Sequence, residues 1–159
     1  MGAGQTALRA NPGPEDASLR IVVPIPKYTP SALERETVAA CLVLEAASQG
    51  SAGMRGVMAV IRNRARGLPE LFAPVVLKRR QFSAFNRLTA GQELLAHAIQ
   101  RARNDRMWES ALALVEEAQS AAWRDPTAGA THYTRSFERT RWTQGLVRTV
   151  TIGGHSFYQ

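Results

Sequence analysis

The sequence predicts an α+β domain, a helical body followed by a small antiparallel sheet built from the C-terminal segment. Three observations predict it. Apolar residues recur at helical spacing through four segments between Ser31 and Trp123. The run Arg124-Asp125-Pro126-Thr127-Ala128-Gly129 is rich in turn formers and ends that pattern. Beyond it, two strand-like stretches flank Gly153-Gly154, a tight hairpin signal.

Residues 1–30 read as an extended or flexible arm, because Pro12, Pro14, Pro24, Pro26 and Pro30 interrupt any helix. Residues 19–25 suit an extended strip lying on the domain. Residues 31–159 form that domain. Its first helix starts at Ser31, with Glu34 three residues on in a capping-box pattern, and runs to about Gln49 before Gly50. Residues 38–47 are apolar on every face except Glu45, so this helix should be central and buried. A second helix is expected over 52–66, with Met54, Val57, Met58 and Ile61 at helical spacing and Gly67 and Pro69 beyond it. A short helix fits 70–78, and a longer one 92–103. Asp105 caps a last helix that runs to about Trp123, with Trp108, Leu112, Val115 and Ala122 on one face. Residues 130–134, 146–152 and 155–158 are the strands.

A chain of 159 residues is one domain with a sizeable core. Its net charge of +7 is carried almost wholly by arginine, since Lys27 and Lys78 are the only lysines. Such a surface favours polyanions: nucleic acid, anionic lipid or an anionic cell envelope. Cys41 is the only cysteine, which rules out an intramolecular disulfide and a cysteine metal site, and it suits a small core residue. The first residues lack the apolar stretch of a secretory signal, and no run is long enough to span a bilayer. The expectation is cytoplasmic synthesis, or a module of something longer.

Glu45 is the candidate for chemistry. Burial of an unpaired carboxylate is expensive, and desolvation favours the protonated acid, which is the form a general acid needs. A Glu paired with an arginine, or at a helix edge, is the structural alternative. A second cluster mixes amides, hydroxyls and aromatic rings: Gln81, Phe82, Ser83 and Phe85 in one connection, then Thr131, His132, Tyr133 and Trp142. Sugar grooves use that mixture, with rings stacking on pyranose faces and polar groups bonding hydroxyls. Phe82, Phe85 and Tyr133 equally suit a core. His132 and His155 can approach each other if the C-terminal strands pair. Without a third ligand they suit structural hydrogen bonding better than a metal, and His97 suits the surface of a helix.

Five motifs in order resemble the cell-wall hydrolase family of the spore-cortex-lytic type. They are Leu44-Glu45-Ala46, Ala59-Val60-Ile61-Arg62-Asn63-Arg64, Gln81-Phe82-Ser83, the stretch from Asp125 to Tyr133, and Ile152-Gly153-Gly154-His155-Ser156-Phe157-Tyr158. The resemblance implies a lysozyme-like helical domain with a small β region that cleaves peptidoglycan glycan strands. It implies Glu45 as the essential acid and the segments carrying Gln81, Phe82, Ser83, Phe85, Thr131, His132 and Tyr133 as the substrate groove. It implies no metal or organic cofactor and no obligatory nucleic acid, and a monomer is expected. The sequence departs from the family at Leu44, usually Gly, at Gln49, often a second Glu, and at Phe85, often Trp. Cleavage between N-acetylmuramic acid and N-acetylglucosamine by a lytic transglycosylase with one glutamate is the leading expectation. A hydrolytic muramidase, an inactive wall-binding domain and a basic nucleic-acid-binding module are the rivals. An enzyme of this kind without a signal would reach the wall by phage-type release or as part of a larger assembly.

Overall fold

The computed structural model describes residues 27–136, 138 and 140–159. The expected arm lies outside them apart from residues 27–30, as does the strip at 19–25. The described chain is a helical body with a three-stranded antiparallel sheet at its C-terminal end.

Helix α1 (Ala32–Ala46) begins at the predicted capping box. Ser31 Oγ accepts from the Glu34 amide at 3.2 Å, and the Glu34 carboxylate accepts from the Ser31 amide at 2.8 Å. Its apolar circumference makes it the central helix. It packs on α2 (Gly50–Arg64), α3 (Phe72–Leu77), α5 (Leu95–Arg103) and α6 (Trp108–Ala118), and Ala39, Ala40, Cys41 and Leu42 are fully buried. A one-turn α4 (Asn86–Thr89) precedes α5.

Several boundaries differ from the sequence reading. Residues 47–49 tighten into a 3₁₀ turn, so α1 ends before Gln49 and α2 starts at Gly50. The helix expected from 92 begins at Leu95, after a turn at Gly91 whose φ is +73°. The last helix stops at Ala118 rather than Trp123. There Arg62 Nε donates to Ala118 O at 3.0 Å, and the Ser120 hydroxyl accepts the Ala122 amide at 3.0 Å, drawing the chain out of the helix. Ala122 is therefore exposed, and Trp123 is the buried residue.

Strands β1 (His132–Arg135), β2 (Arg148–Ile152) and β3 (His155–Tyr158) pair in the order β1-β3-β2. The turn at Gly153, with φ +57°, joins β2 to β3. The sheet rests on α2 through a small second core of Val60, Ala130 and Phe157. Gly56 makes that approach possible, since a β-carbon there would lie 2.5 Å from Phe157 Cζ. The end of α2 stitches the two halves together. Asn63 Nδ2 donates to Asp125 Oδ2 and to Ala130 O, both at 2.9 Å, and Arg64 Nε donates to Thr131 O at 2.7 Å. With those carbonyls taken, the regular strand begins at His132 and not at Ala130.

Candidate active site

Helix α1, the connection after α3, and strand β1 converge on one cavity of ≈ 980 Å³. Glu45, in the last turn of α1, lies on its wall. Its carboxylate is gripped from two sides. Ser83 Oγ at 3.0 Å and the Ala84 amide at 2.6 Å donate to Oε1, and Tyr133 Oη donates to Oε2 at 2.7 Å. Glu45 is half-buried and faces a polar opening, less enclosed than its place in the apolar run suggests. The reason is the register of α1: its apolar run is buried up to Val43, but Leu44 and Glu45 turn toward the cavity.

The Ser83 and Ala84 donors follow from local backbone. After Phe82 the chain enters a 3₁₀ turn, Ser83–Phe85, whose first amides have no partner inside it. The Ala84 amide is one of them, and Glu45 satisfies it. Phe82 and Phe85 lie under this turn, 2% and 0% exposed, and both belong to the core. That corrects the expectation that they line the groove: their rings hold the turn in place instead. Gln81, Ser83, His132 and Tyr133 do line the cavity, and Thr131 does not. The Thr131 hydroxyl meets His132 Nδ1 at 2.9 Å.

Tyr133 is held among Phe82, His155 and Phe157, with its ring 5.1 Å from His155. Desolvation, followed by the Glu45 charge, pushes its phenol well above the usual tyrosine range, so it stays a donor. Arg64 lies over Phe82 at 5.2 Å, and burial draws its guanidinium down from the usual arginine range, though it remains a cation. His132 and His155 do not meet. The register pairs His132 with Tyr158 and His155 with Arg135, at opposite ends of β1 and β3. Burial lowers both imidazole pKa values. Among the described residues no three His, Cys, Asp or Glu side chains are grouped to hold a metal. His97 is exposed in the first turn of α5.

Trp142, grouped from sequence with the sugar-groove residues, lines the same cavity. Trp142 is 47% exposed and presents its indole to the opening, braced by His132 at 5.7 Å and Tyr158 at 6.2 Å. His155 also lines it, and so do Arg79, Arg80, Arg135 and Glu138, which were not singled out from sequence. Glu138 is an exposed carboxylate that accepts from Thr134 Oγ1 at 3.1 Å. Asp125 is occupied elsewhere. It accepts from the Thr127 amide and hydroxyl at 2.7 and 2.6 Å, and from Gly129 and Asn63 at 2.9 Å each, so it caps the turn. Gln49 also lies off the cavity wall: its Oε1 accepts the Gly154 amide at 2.6 Å and ties the hairpin to the end of α1. A Gln in place of the family's frequent Glu therefore removes no carboxylate from the cavity.

The model of the cell wall hydrolase family matches residues 48–158. The chain belongs to that family. The matched stretch begins just beyond Glu45, and it spans the cavity segments of the cell wall hydrolase domain from Arg64 to His155. Two solved structures share its fold. One is the catalytic domain of the germination-specific lytic transglycosylase SleB from Bacillus anthracis, at TM-score 0.60 and 22% identity over 82% of this chain and 97% of that one. The other is the catalytic domain of the Bacillus cereus SleB protein, at TM-score 0.55 and 22% identity over 82% of this chain and 93% of that one. No curated protein matches the sequence. Among the described residues no helix is long and apolar enough to cross a membrane.

Proposed function

We propose that this cell wall hydrolase cleaves peptidoglycan glycan strands between N-acetylmuramic acid and N-acetylglucosamine as a lytic transglycosylase, with Glu45 as its acid–base residue. The observation that carries the reading is the three-donor grip on Glu45 in the wall of a large polar cavity. Oε1 already accepts two hydrogen bonds and Oε2 only one. The free lone pair on Oε2 is therefore the place for the catalytic proton. Glu45 gives that proton to the glycosidic oxygen as the bond from the muramoyl C1 breaks. The three donors then stabilise the carboxylate left behind. The muramoyl C6 hydroxyl attacks C1 and returns its proton to Oε2, closing a 1,6-anhydro ring with no water consumed. Such intramolecular attack carries an effective molarity of about 10⁵ M or more when well oriented. The exposed Trp142 ring offers a sugar platform on the same wall.

A hydrolytic outcome has one observation in its favour, the Glu138 carboxylate on the cavity wall, which could activate a water. Mass spectrometry of muropeptides released from purified sacculi separates the two. Transglycosylation leaves ends one water lighter that resist borohydride reduction, and hydrolysis leaves reducible ends. A folded Glu45→Gln protein should lose about 10²–10⁴-fold in activity. Lysis near the wild-type rate by that variant would sink the assignment.

A further inference from the structure

The cavity carries more positive charge than cleaving a neutral sugar bond requires. Arg64, Arg79, Arg80 and Arg135 line it, against the carboxylates of Glu45 and Glu138. None of the four forms an ion pair among the described residues. The ion pairs found there use Arg35, Arg55, Arg101 and Arg103, all away from the cavity. Glu45 does not neutralise them, because its partners are a serine hydroxyl, an amide and a phenol.

Their placement is specific. Arg79 and Arg80 stand directly before the Gln81-Phe82-Ser83 segment, and Arg135 ends β1 two residues after Tyr133. These are the two segments that grip Glu45, so cations stand on either side of the acid. Arg80 is also held at φ +59°, in the left-handed region where a β-carbon is strained and Gly or Asn is the usual occupant.

Resting on the glycan-cleavage reading, we infer that Arg79, Arg80 and Arg135 bind carboxylates of the peptide stems, so that the preferred substrate is stem-bearing rather than naked glycan. The sugars of the strand carry hydroxyls and amides, whereas the stems attached to muramic acid carry carboxylates. Guanidinium groups bind carboxylates through paired, charge-assisted hydrogen bonds. Cations flanking Glu45 would set the register of the strand by holding the stem beside the bond to be cut.

The test compares kcat/KM on three forms of purified glycan strand: stem-bearing, stripped of stems by an N-acetylmuramoyl-L-alanine amidase with the lactyl carboxylates this exposes converted to methylamides, and stem-bearing with its carboxylates converted to methylamides. Wild-type protein should prefer the first by about tenfold or more over either other form, the value of one charge-assisted contact. Arg135→Gln and Arg80→Gly should bring that ratio toward one. The glycine variant suits the left-handed backbone, so its Tm should not fall. Arg106→Gln lowers the net charge equally, away from the cavity, and should keep the wild-type ratio. Equal cleavage of the three forms by wild-type protein would overturn the inference alone. So would a ratio that survives Arg80→Gly and Arg135→Gln, or one that Arg106→Gln lowers as much. Cleavage of none of the three would overturn the underlying reading of the activity as well.

Discussion

Tyr133 and Glu45, 88 residues apart in sequence, share a hydrogen bond of 2.7 Å that joins the sheet to the central helix. The bond forms where β1 leaves the Asp125 turn and α1 exposes its last turn. Ser83 and the Ala84 amide hold the other carboxylate oxygen, so Glu45 cannot rotate without breaking contacts on both sides.

Tyr133→Phe should therefore act on catalysis more than on folding. The ring packing with Phe82, His155 and Phe157 is kept, and only the hydroxyl is lost. A hydrogen bond to a charged group contributes about 1.5–3 kcal/mol, which corresponds to about 10–100-fold in rate. The loss should appear in kcat with KM little changed, because Tyr133 positions Glu45. Steady-state assays on soluble glycan strands, with circular dichroism to check folding, measure both. An unchanged kcat would show that the two donors on Oε1 suffice to orient the acid.

Much of this arrangement was legible in the sequence. A single ionisable residue in an apolar decapeptide marked Glu45, the capping box fixed the start of α1, and Gly153-Gly154 marked the hairpin. Phe82 and Phe85 misled because an aromatic beside polar residues looks the same in sequence whether its ring faces sugar or core. Here a 3₁₀ turn sends the polar groups outward and the rings inward. Arg79, Arg80, Arg135 and Glu138 carry no local signal. They are ordinary surface residues by composition, and only the folding of β1 opposite the segment after α3 places them in one cavity.

The seating of the sheet on α2 depends on Gly56. An alanine β-carbon there would lie 2.5 Å from the tip of the Phe157 ring, which is fully buried and has no room to withdraw. Gly56→Ala gains helix propensity worth about 1 kcal/mol, but overpacking a tight core costs about 1–3 kcal/mol. The net effect should be a loss of stability, read as a lower midpoint in urea unfolding. A higher midpoint would mean that the sheet can shift at no cost.

His155 gives the domain an acid-sensitive contribution to stability. Burial is the largest influence and lowers its folded pKa; the Glu45 charge opposes it in part, Arg135 adds to the lowering, and Glu138 pushes up least. The unfolded chain therefore binds a proton more readily than the folded one. Stability from this group is fully present above the unfolded value of about 6.5 and falls as the pH drops below it. Thermal unfolding between pH 7.5 and pH 5 should show a declining Tm for the wild type, and a shallower decline for His155→Gln. Equal slopes would assign the acid sensitivity elsewhere, and His132, whose pKa burial also lowers, is the next candidate.

Glu138→Gln tests the second carboxylate on the cavity wall. Glu138 is exposed, and the partner its carboxylate has among the described residues is Thr134 Oγ1 at 3.1 Å. A base that activates water must hold it against the far face of the sugar, and a solvent-facing side chain on one hydrogen bond is poorly fixed for that task. Glutamine keeps the shape and can still accept from Thr134 but removes the charge. If C6 attack is intramolecular, the variant should keep the 1,6-anhydro product, and its kcat should stay within about tenfold of wild type, well short of the loss of an acid–base group. A fall of about 10²-fold or more, together with reducible muramic ends from the wild type, would make Glu138 the base of a two-carboxylate hydrolysis. Product mass and kcat are read from the same digest, so the two mechanisms cannot be confused by a difference in substrate preparation.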